Sequence, residues 1–463
     1  MRQRQVGGGR DPVIKSKRIL VLLLCVSFPY LKTSTDRSTT HGVISAMDFG
    51  VVYYGARCVM EHQDPYHPET ALRELEADGG KFTAADTESG RLARKVVSRI
   101  IYPPTAFLAV APLAMLRWPV ALAVWMALMA GWLAIAAFLM WELAGGAPKI
   151  AGCLAGFMLL NCVLLMWFGN PAGIVTSLCV MAAWCFLKDR FAPAGVAMLT
   201  VALMIKPHDA GFVWLYFLLA GGVGRKRALQ TLAATAVLGF GAAVWIAPVS
   251  PHWMGELRSN MAVLSARGGP VDPGPAGMIA RGTVPNISLQ SDLSVLKDDP
   301  HFYNAASYAF GGVLILIWAI AVLRKRFSKE GALFSLAAIS VLTVLPVYHR
   351  TYDAKLLLLT IPACAMLWAG GGARRWWALG LTSAAIVVTS DIPLIFLSFI
   401  TGNIAISPNT LGGKLTLLAL QPAPLVLLAA GCFYLWVYIR YKPEMAGDGE
   451  RVELAAKPVA AGD

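Results

Sequence analysis

Val120–Leu143, VALAVWMALMAGWLAIAAFLMWEL, is the stretch that decides the class of fold. Its only charged residue is Glu142, and the run is longer than the roughly 20 apolar residues that cross a bilayer as a helix. Similar apolar runs, separated by short polar links, recur from Ile19 to Ile439. Backbone polar groups in lipid need partners within their own segment. The sequence therefore predicts an all-α polytopic membrane protein.

The composition agrees with this prediction. The chain has 463 residues, of which 57% are hydrophobic and 14% charged, whereas about a quarter of the residues of a soluble domain are charged. The net charge of +13 could suggest a nucleic-acid partner, but Lys and Arg lie in short clusters between apolar runs. Basic loops are retained in the cytoplasm. We therefore attribute the charge to membrane topology and expect no nucleic-acid partner.

The basic clusters also predict the number of spans. They would all lie on the cytoplasmic side if Thr105–Leu116, which is too short for an ordinary crossing, does not cross the membrane. If this run does cross, the later clusters move outside unless another span is added. We therefore expect about twelve spans. The clusters are Lys188-Asp189-Arg190, Arg225-Lys226-Arg227, Arg324-Lys325-Arg326, Arg374-Arg375 and Arg440-Tyr441-Lys442.

This topology divides the chain into a membrane domain and two cytoplasmic tails. Residues 1–17 form the N-terminal tail, residues 18–440 the membrane domain and residues 441–463 the C-terminal tail. The first apolar run resembles a signal peptide, but no clean cleavage site follows it, so we expect an uncleaved helix. Two outer loops are long, at about residues 32–104 and 248–303. The charged middle of the first, Glu69–Arg99, predicts surface helices.

The links that this topology leaves outside carry the unusual polar chemistry of the chain. Asp48 lies between apolar neighbours, just past the first apolar run. An acidic residue at the membrane surface costs free energy unless it is paired or used. It could also simply start a helix as an N-cap, and both roles are compatible. The link that begins at Asp48 extends to Pro104, and the other outer links are 169–171, 206–209, 248–303 and 348–353.

Two of these links contain candidate phosphate ligands. Lys206 precedes Pro207, which breaks a helix between two apolar runs. Lys206 could bind phosphoryl oxygens as a point charge or extend its charge to the membrane interface. His349 could donate to a leaving oxygen, and Arg350 could hold phosphate through two parallel hydrogen bonds. Alternatively, Arg350 and Asp353 form an ion pair that only ties two helix ends together.

Several common functional motifs are absent from the sequence. It contains no Walker loop, no glycine-rich dinucleotide fingerprint and no HExxH motif. Most of its eight cysteines lie within apolar segments and none has CxxC spacing, which is typical of small buried side chains rather than disulfides. No run of His and carboxylates has metal-ligand spacing. The sequence therefore gives no reason to expect a metal or another cofactor.

The outer links resemble a known family. Asp48, the following Phe49–Tyr54 and the closing Asp64-Pro65-Tyr66 are similar to the first outer loop of the GT-C glycosyltransferases. More narrowly, they resemble glycosyltransferase family 87, whose members use polyprenyl-phosphate-mannose. Further matches follow in the family's order over roughly Asp48 to Asp353, although the family often has Gln where this chain has Asn170. They are Tyr102-Pro103-Pro104, Gly169-Asn170 and Lys206-Pro207.

The resemblance implies a GT-C fold and an enzyme of the bacterial cytoplasmic membrane whose site faces outward. It implies transfer of a hexose, by family default mannose, from a polyprenyl-phosphate donor to a glycolipid or glycan acceptor. Asp48 matches the general base, and one direct displacement would invert the anomeric centre. By their chemistry, the candidates for binding the donor phosphate are Lys206, His208, His349 and Arg350. The candidates for other substrate contacts are Tyr53, Asp64, Tyr66, Tyr102, Asn170, Tyr352 and Asp353.

Two alternatives remain open at this point. Asp64 is a rival base, although its place before Pro65 suits a side chain that caps a backbone N–H in a turn. The competing class of protein is a transporter or flippase for a lipid-linked or amphiphilic anion, since outer cations and broken helices would serve it too. Against a transporter, the two halves show no internal repeat and the outer loops are much longer than the inner ones. A noncatalytic membrane scaffold is a third possibility, and the polar outer links argue against it.

Overall fold

The computed structural model describes residues 12–39, 46–78, 88–277, 286–393 and 409–442. These residues form α-helices and no β-strand. One 3₁₀-helix, Asp353–Leu359, leads directly into α17. The α-helices are α1 Pro12–Thr39, α2 Met47–Met60, α3 Thr70–Ala77, α4 Glu88–Val97, α5 Pro104–Ala114, α6 Trp118–Leu143, α7 Pro148–Leu160, α8 Val163–Phe168, α9 Ala172–Lys188, α10 Ala192–Ile205, α11 Pro207–Leu219, α12 Gly222–Ile246, α13 Trp253–Ser265, α14 Leu289–Leu296, α15 Pro300–Arg324, α16 Lys329–Leu342, α17 Thr360–Gly370, α18 Arg374–Val388, α19 Leu411–Leu420 and α20 Ala423–Arg440.

Among the described residues, five helical segments are long and apolar enough to cross a membrane. They are α6, α12, α15, α20 and the continuous helix Asp353–Gly370. Shorter apolar helices accompany them, namely α5, α7, α9, α10 and α19. The predicted all-α membrane fold is therefore confirmed. The number of twelve spans stays a prediction, because several apolar runs are divided between two short helices.

The run Thr105–Leu116 forms most of the short helix α5. Pro103 adopts an extended conformation and Pro104 is the first helical residue, where the missing N–H of proline costs no hydrogen bond. At 1.5 Å per residue, the 11 residues of α5 are about 16 Å long, half the thickness of the hydrocarbon core. The Thr105 hydroxyl donates to the Met204 carbonyl at 2.7 Å, which ties the start of α5 to the end of α10.

Lys206 interrupts the apolar run that forms α10 and α11. Its backbone is extended, with φ −139° and ψ 83°, as expected for a residue that precedes proline. Pro207 then begins α11. The break places the Lys206 and Asp209 side chains, only 8% and 2% exposed, between two apolar helices. Local sequence thus creates a polar position in an otherwise apolar region.

Two helices form the most buried part of the fold. Every residue of α9 from Ala172 to Leu187 is buried, and so are almost all residues of α16 from Gly331 to Leu342. The N-terminus of α9 follows Asn170, and the C-terminus of α16 leads into the link that contains His349. The polar links are therefore anchored to the best-packed helices, which limits their freedom to move.

The segment between α2 and α5, which the sequence analysis predicted to be the first outer loop, contains the helices α3 and α4. Arg57 Nη1 donates to both carboxylate oxygens of Asp78, the residue after α3, at 3.3 Å and 3.0 Å, which connects α2 to α3. Phe49 stacks on Trp125 of α6 with a ring-centroid distance of 4.5 Å. These contacts fix the position of α2, whose first turn carries Asp48.

Candidate active site

The side chains of Asp48 and Asn170 form a hydrogen bond in the candidate site. The Asn170 side-chain N–H donates to Asp48 Oδ2 at 2.6 Å. The Asn170 side-chain oxygen accepts from the Ala172 N–H at 2.8 Å, so that it caps α9 and leaves the amide nitrogen pointing at Asp48. Among the described residues, Asp48 Oδ1 has no hydrogen-bond donor. One carboxylate oxygen is thus held in place and the other is left to act on a ligand.

The close approach of two backbone segments makes this pair possible. The Ala46 N–H donates to the Trp167 carbonyl at 2.8 Å. Gly169 has φ 59°, and a Cβ there would lie 3.0 Å from the Ala46 Cβ. Glycine is the residue that accepts such a conformation at such a short distance. The pair Gly169-Asn170 therefore does more than form a turn, because glycine lets the link approach α2 while asparagine bonds the carboxylate.

Lys206 is the centre of a buried ionic cluster. Its Nζ lies 2.5 Å from Asp353 Oδ1 and 3.1 Å from Asp209 Oδ2. The second Asp353 oxygen accepts the Arg350 backbone N–H at 2.8 Å. These contacts join two links, 206–209 and 348–353, and Lys206 and Asp353 are 147 residues apart in sequence. The charge of Lys206 is therefore shared between two carboxylates.

His349 is completely buried beside the same aspartate. Its Nε2 lies 3.1 Å from Asp209 Oδ1, and its Nδ1 lies 2.9 Å from the Val347 carbonyl. Burial lowers the pKa of His349, but the contact with Asp209 outweighs it, so that the pKa lies above its usual value. The His208 ring, about half exposed, lies with its Nε2 3.6 Å from the same Asp209 oxygen.

Arg350 connects the site to the segment between α13 and α14. Its Nη2 donates to the Pro270 carbonyl at 2.6 Å, and its Nε donates to the Tyr348 hydroxyl. The Arg350 backbone also pairs with Asn286, just before α14. Of the five N–H groups of a guanidinium, these side-chain contacts use two. The remaining donors are able to bind an anion.

The electrostatics of Asp48 link these groups into one site. Burial raises the pKa of Asp48, while the Asn170 hydrogen bond and the charges of Arg350 and Lys206 partly oppose this increase. Burial and the neighbouring charge of Asp48 likewise raise the pKa of Tyr102. Tyr352 also belongs to this region, because its ring centroid lies 5.9 Å from Lys206 Nζ. The four links that contain these residues, 48–104, 169–171, 206–209 and 348–353, therefore lie close together.

Three other predicted substrate contacts lie outside this cluster. Tyr53 is completely buried among aromatic rings, and its hydroxyl donates to the Leu116 carbonyl at 2.7 Å. The Tyr66 hydroxyl donates to the Tyr102 carbonyl at 2.7 Å, so Tyr66 supports Tyr102. Asp64 accepts the Tyr66 N–H at 2.9 Å, which is the turn contact expected before Pro65. Their contacts are those of packing residues.

The structure also adds residues to which the sequence analysis gave no role. Asp209 contacts both Lys206 and His349, and the Tyr348 hydroxyl lies against the Arg350 guanidinium. A sequence signal existed for Asp209, since it is an acidic residue between His208 and an apolar run. Its partners lie in distant links, and only the packing of the helices brings them together.

The site thus gathers carboxylates and cations at the helix breaks of an all-α membrane protein. The sequence model of glycosyltransferase family 87 matches residues 101–346, more than half of the chain. The chain therefore belongs to glycosyltransferase family 87, which confirms the resemblance, and it is a membrane glycosyltransferase. No curated protein and no solved structure matched the chain.

Replacing Asn170 with Asp tests the link between this residue and Asp48. The change keeps an oxygen to cap Ala172 but removes the N–H that Asp48 accepts. Two carboxylates in contact favour sharing one proton, so the Asp48 pKa is expected to rise. We expect the acidic limb of the pH profile of kcat/KM to move to higher pH. An unchanged limb in a normally folded variant would show that Asn170 does not control the protonation of Asp48.

Proposed function

We propose that this glycosyltransferase moves a hexose, specifically mannose, from a polyprenyl-phosphate donor to a glycolipid or glycan acceptor. The reaction takes place at the extracytoplasmic face of a bacterial cytoplasmic membrane, and the anomeric centre inverts. The observation that carries the proposal is the Asp48 carboxylate, held on one oxygen by Asn170 at 2.6 Å beside a cluster of cationic groups. A base next to an anion-binding region is what such a displacement requires.

Asp48 is the general base in this mechanism. Its Oδ1 accepts the proton of the acceptor hydroxyl as the oxygen attacks the anomeric carbon. The raised pKa of Asp48 makes the carboxylate a stronger base than an exposed aspartate. Because the attack displaces the polyprenyl phosphate directly, no covalent enzyme intermediate forms. Asp64, the rival base, is already engaged in capping Tyr66.

The leaving phosphate is bound on the cationic side of the site. Arg350 offers its remaining N–H donors, which suits two parallel hydrogen bonds to phosphoryl oxygens. Lys206 contributes a positive charge, and its ammonium group is held in place by Asp209 and Asp353. His349 and the half-exposed His208 complete the phosphate region. Tyr102, Tyr352, Asp353 and Asn170 line or support the same region.

The experiment that tests this reaction compares donors. Purified protein in lipid nanodiscs would receive radiolabelled mannose either on a synthetic polyprenyl phosphate or on GDP, with extracted membrane lipids as acceptors. We expect a labelled product from the polyprenyl donor alone. Transfer from GDP-mannose would contradict the proposed donor class. Movement of the labelled lipid across sealed vesicles without any transfer would instead support the flippase.

A further inference from the structure

Three side chains at the edge of the phosphate region offer ligand atoms to one point. The ring nitrogens of His208 and His349 and a carboxylate oxygen of Asp209 all lie within 4.8 Å of one another. The Asp209 oxygen is 3.1 Å from His349 Nε2 and 3.6 Å from His208 Nε2. With metal–ligand bonds of about 2.0–2.2 Å, neighbouring ligand atoms in a tetrahedral site are roughly 3.2–3.6 Å apart. The spacing fits.

The hydrogen bonds of His349 show that a positive species belongs at this point. The Val347 carbonyl is an acceptor, so the Nδ1 that lies 2.9 Å from it carries a proton. In neutral imidazole the Nε2 then presents a lone pair, yet it faces an oxygen of the Asp209 carboxylate. Two lone pairs in contact repel, and either a proton or a metal ion between them removes this conflict. An N–H bonded to a backbone carbonyl is also the usual support of a metal-binding histidine.

The charges of the site favour a metal over a proton. Lys206 and Arg350 supply two positive charges, whereas Asp48, Asp209 and Asp353 supply three negative charges. With neutral histidines, the sum is one negative charge. A single added proton only neutralises it. If the proposed function is right, this region receives an anionic phosphate, and a divalent cation would make the sum positive.

We propose that His208, Asp209 and His349 bind a divalent transition-metal ion, with Zn²⁺ and Mn²⁺ as the ions that suit two imidazoles and one carboxylate. Three protein ligands leave a coordination position for an oxygen of the donor phosphate. The bound ion would stabilise the negative charge that develops on that oxygen as the sugar leaves. The half-exposed ring of His208 gives the ion a path from solvent, while Lys206 remains paired with Asp353.

Metal binding by the purified full-length protein tests this site directly. The protein would be stripped with a chelator, incubated with Zn²⁺ or Mn²⁺ and passed through a desalting column, and its metal content measured by mass spectrometry. We expect about one retained ion per chain, and at least a 10-fold weaker affinity in His208→Ala. His252→Ala is the matched control, since His252 is also exposed but is not part of the cluster.

His208→Cys keeps the result interpretable, because a thiolate is a good zinc ligand and should restore Zn²⁺ binding. No stoichiometric metal in the wild type, or equal retention by wild type and His208→Ala, would overturn the site. Donor transfer measured on the same samples separates the two proposals. Metal binding without transfer would contradict the proposed reaction and support the site. Transfer without metal binding would support the reaction and contradict the site.

Discussion

Replacing Asp48 with Asn is expected to reduce sugar transfer by about 10²–10⁴-fold, the usual contribution of a general base. Asn is nearly isosteric with Asp, so the packing of α2 should persist, but a neutral amide does not accept the hydroxyl proton. The contact with Asn170 is retained only if one of the two amides rotates to present its oxygen. We therefore expect kcat to fall while the Kd for the polyprenyl-phosphate donor changes little.

Asp64→Asn is the matched control for this experiment. Asp64 follows α2 closely in sequence, and its carboxylate accepts the Tyr66 N–H. This variant should keep most of the wild-type rate. Full transfer by Asp48→Asn, together with loss of transfer in Asp64→Asn, would move the base to Asp64. Loss of donor binding in Asp48→Asn would instead show that Asp48 positions the donor.

Replacing Lys206 with Met is expected to lower the free energy of unfolding by about 3–5 kcal/mol. Met has a similar volume, but it leaves the carboxylates of Asp209 and Asp353 buried without the ammonium group that lies 3.1 Å and 2.5 Å from them. Removing one partner of a buried ion pair lowers the free energy of unfolding, because the remaining charge is neither paired nor solvated. Thermal unfolding in detergent, followed by fluorescence, would measure the loss of stability.

Lys297→Met provides the comparison. Lys297 lies 2.9 Å from Asp299, but its side chain is 63% exposed, and surface ion pairs contribute at most about 1 kcal/mol. A second variant, Lys206→Met combined with Asp353→Asn, removes one of the two stranded charges and should recover part of the stability. Equal stability of Lys206→Met and the wild type would mean that the buried ionic cluster does not stabilise the fold.

Much of the site could be predicted because its residues contrast with their surroundings. Asp48 and Lys206 are charged residues beside apolar runs, where charge is expensive, and His349-Arg350 follows the apolar end of α16. The family resemblance rests on the same residues. Hydropathy also predicted the all-α membrane fold. Each of these predictions used information from neighbouring residues alone.

The contacts between links could not be predicted in the same way. Asp209 and His349 are 140 residues apart, and their pairing depends on how α9, α11 and α16 pack. Tyr53 shows that a residue close in sequence to a site residue can still lie outside the site. It follows Asp48 by five residues, which turns it by about 140° around α2, so it enters the aromatic cluster instead of the site. Broken helices also prevent an exact prediction of the number of spans. The apolar length of α10 and α11 does not show whether the two helices together cross the membrane once or twice.

The long separations between partners also determine when the enzyme becomes complete during its synthesis. Asp48 is synthesised 122 residues before Asn170, and Lys206 precedes Asp353 by 147 residues. Until the last of these links is inserted, several charges at helix breaks lack the partners that offset their desolvation. A nascent chain that ends before Asp353 therefore has neither a finished ionic cluster nor a finished site. Release of such a chain leaves buried charges without their partners, which destabilises the helix bundle.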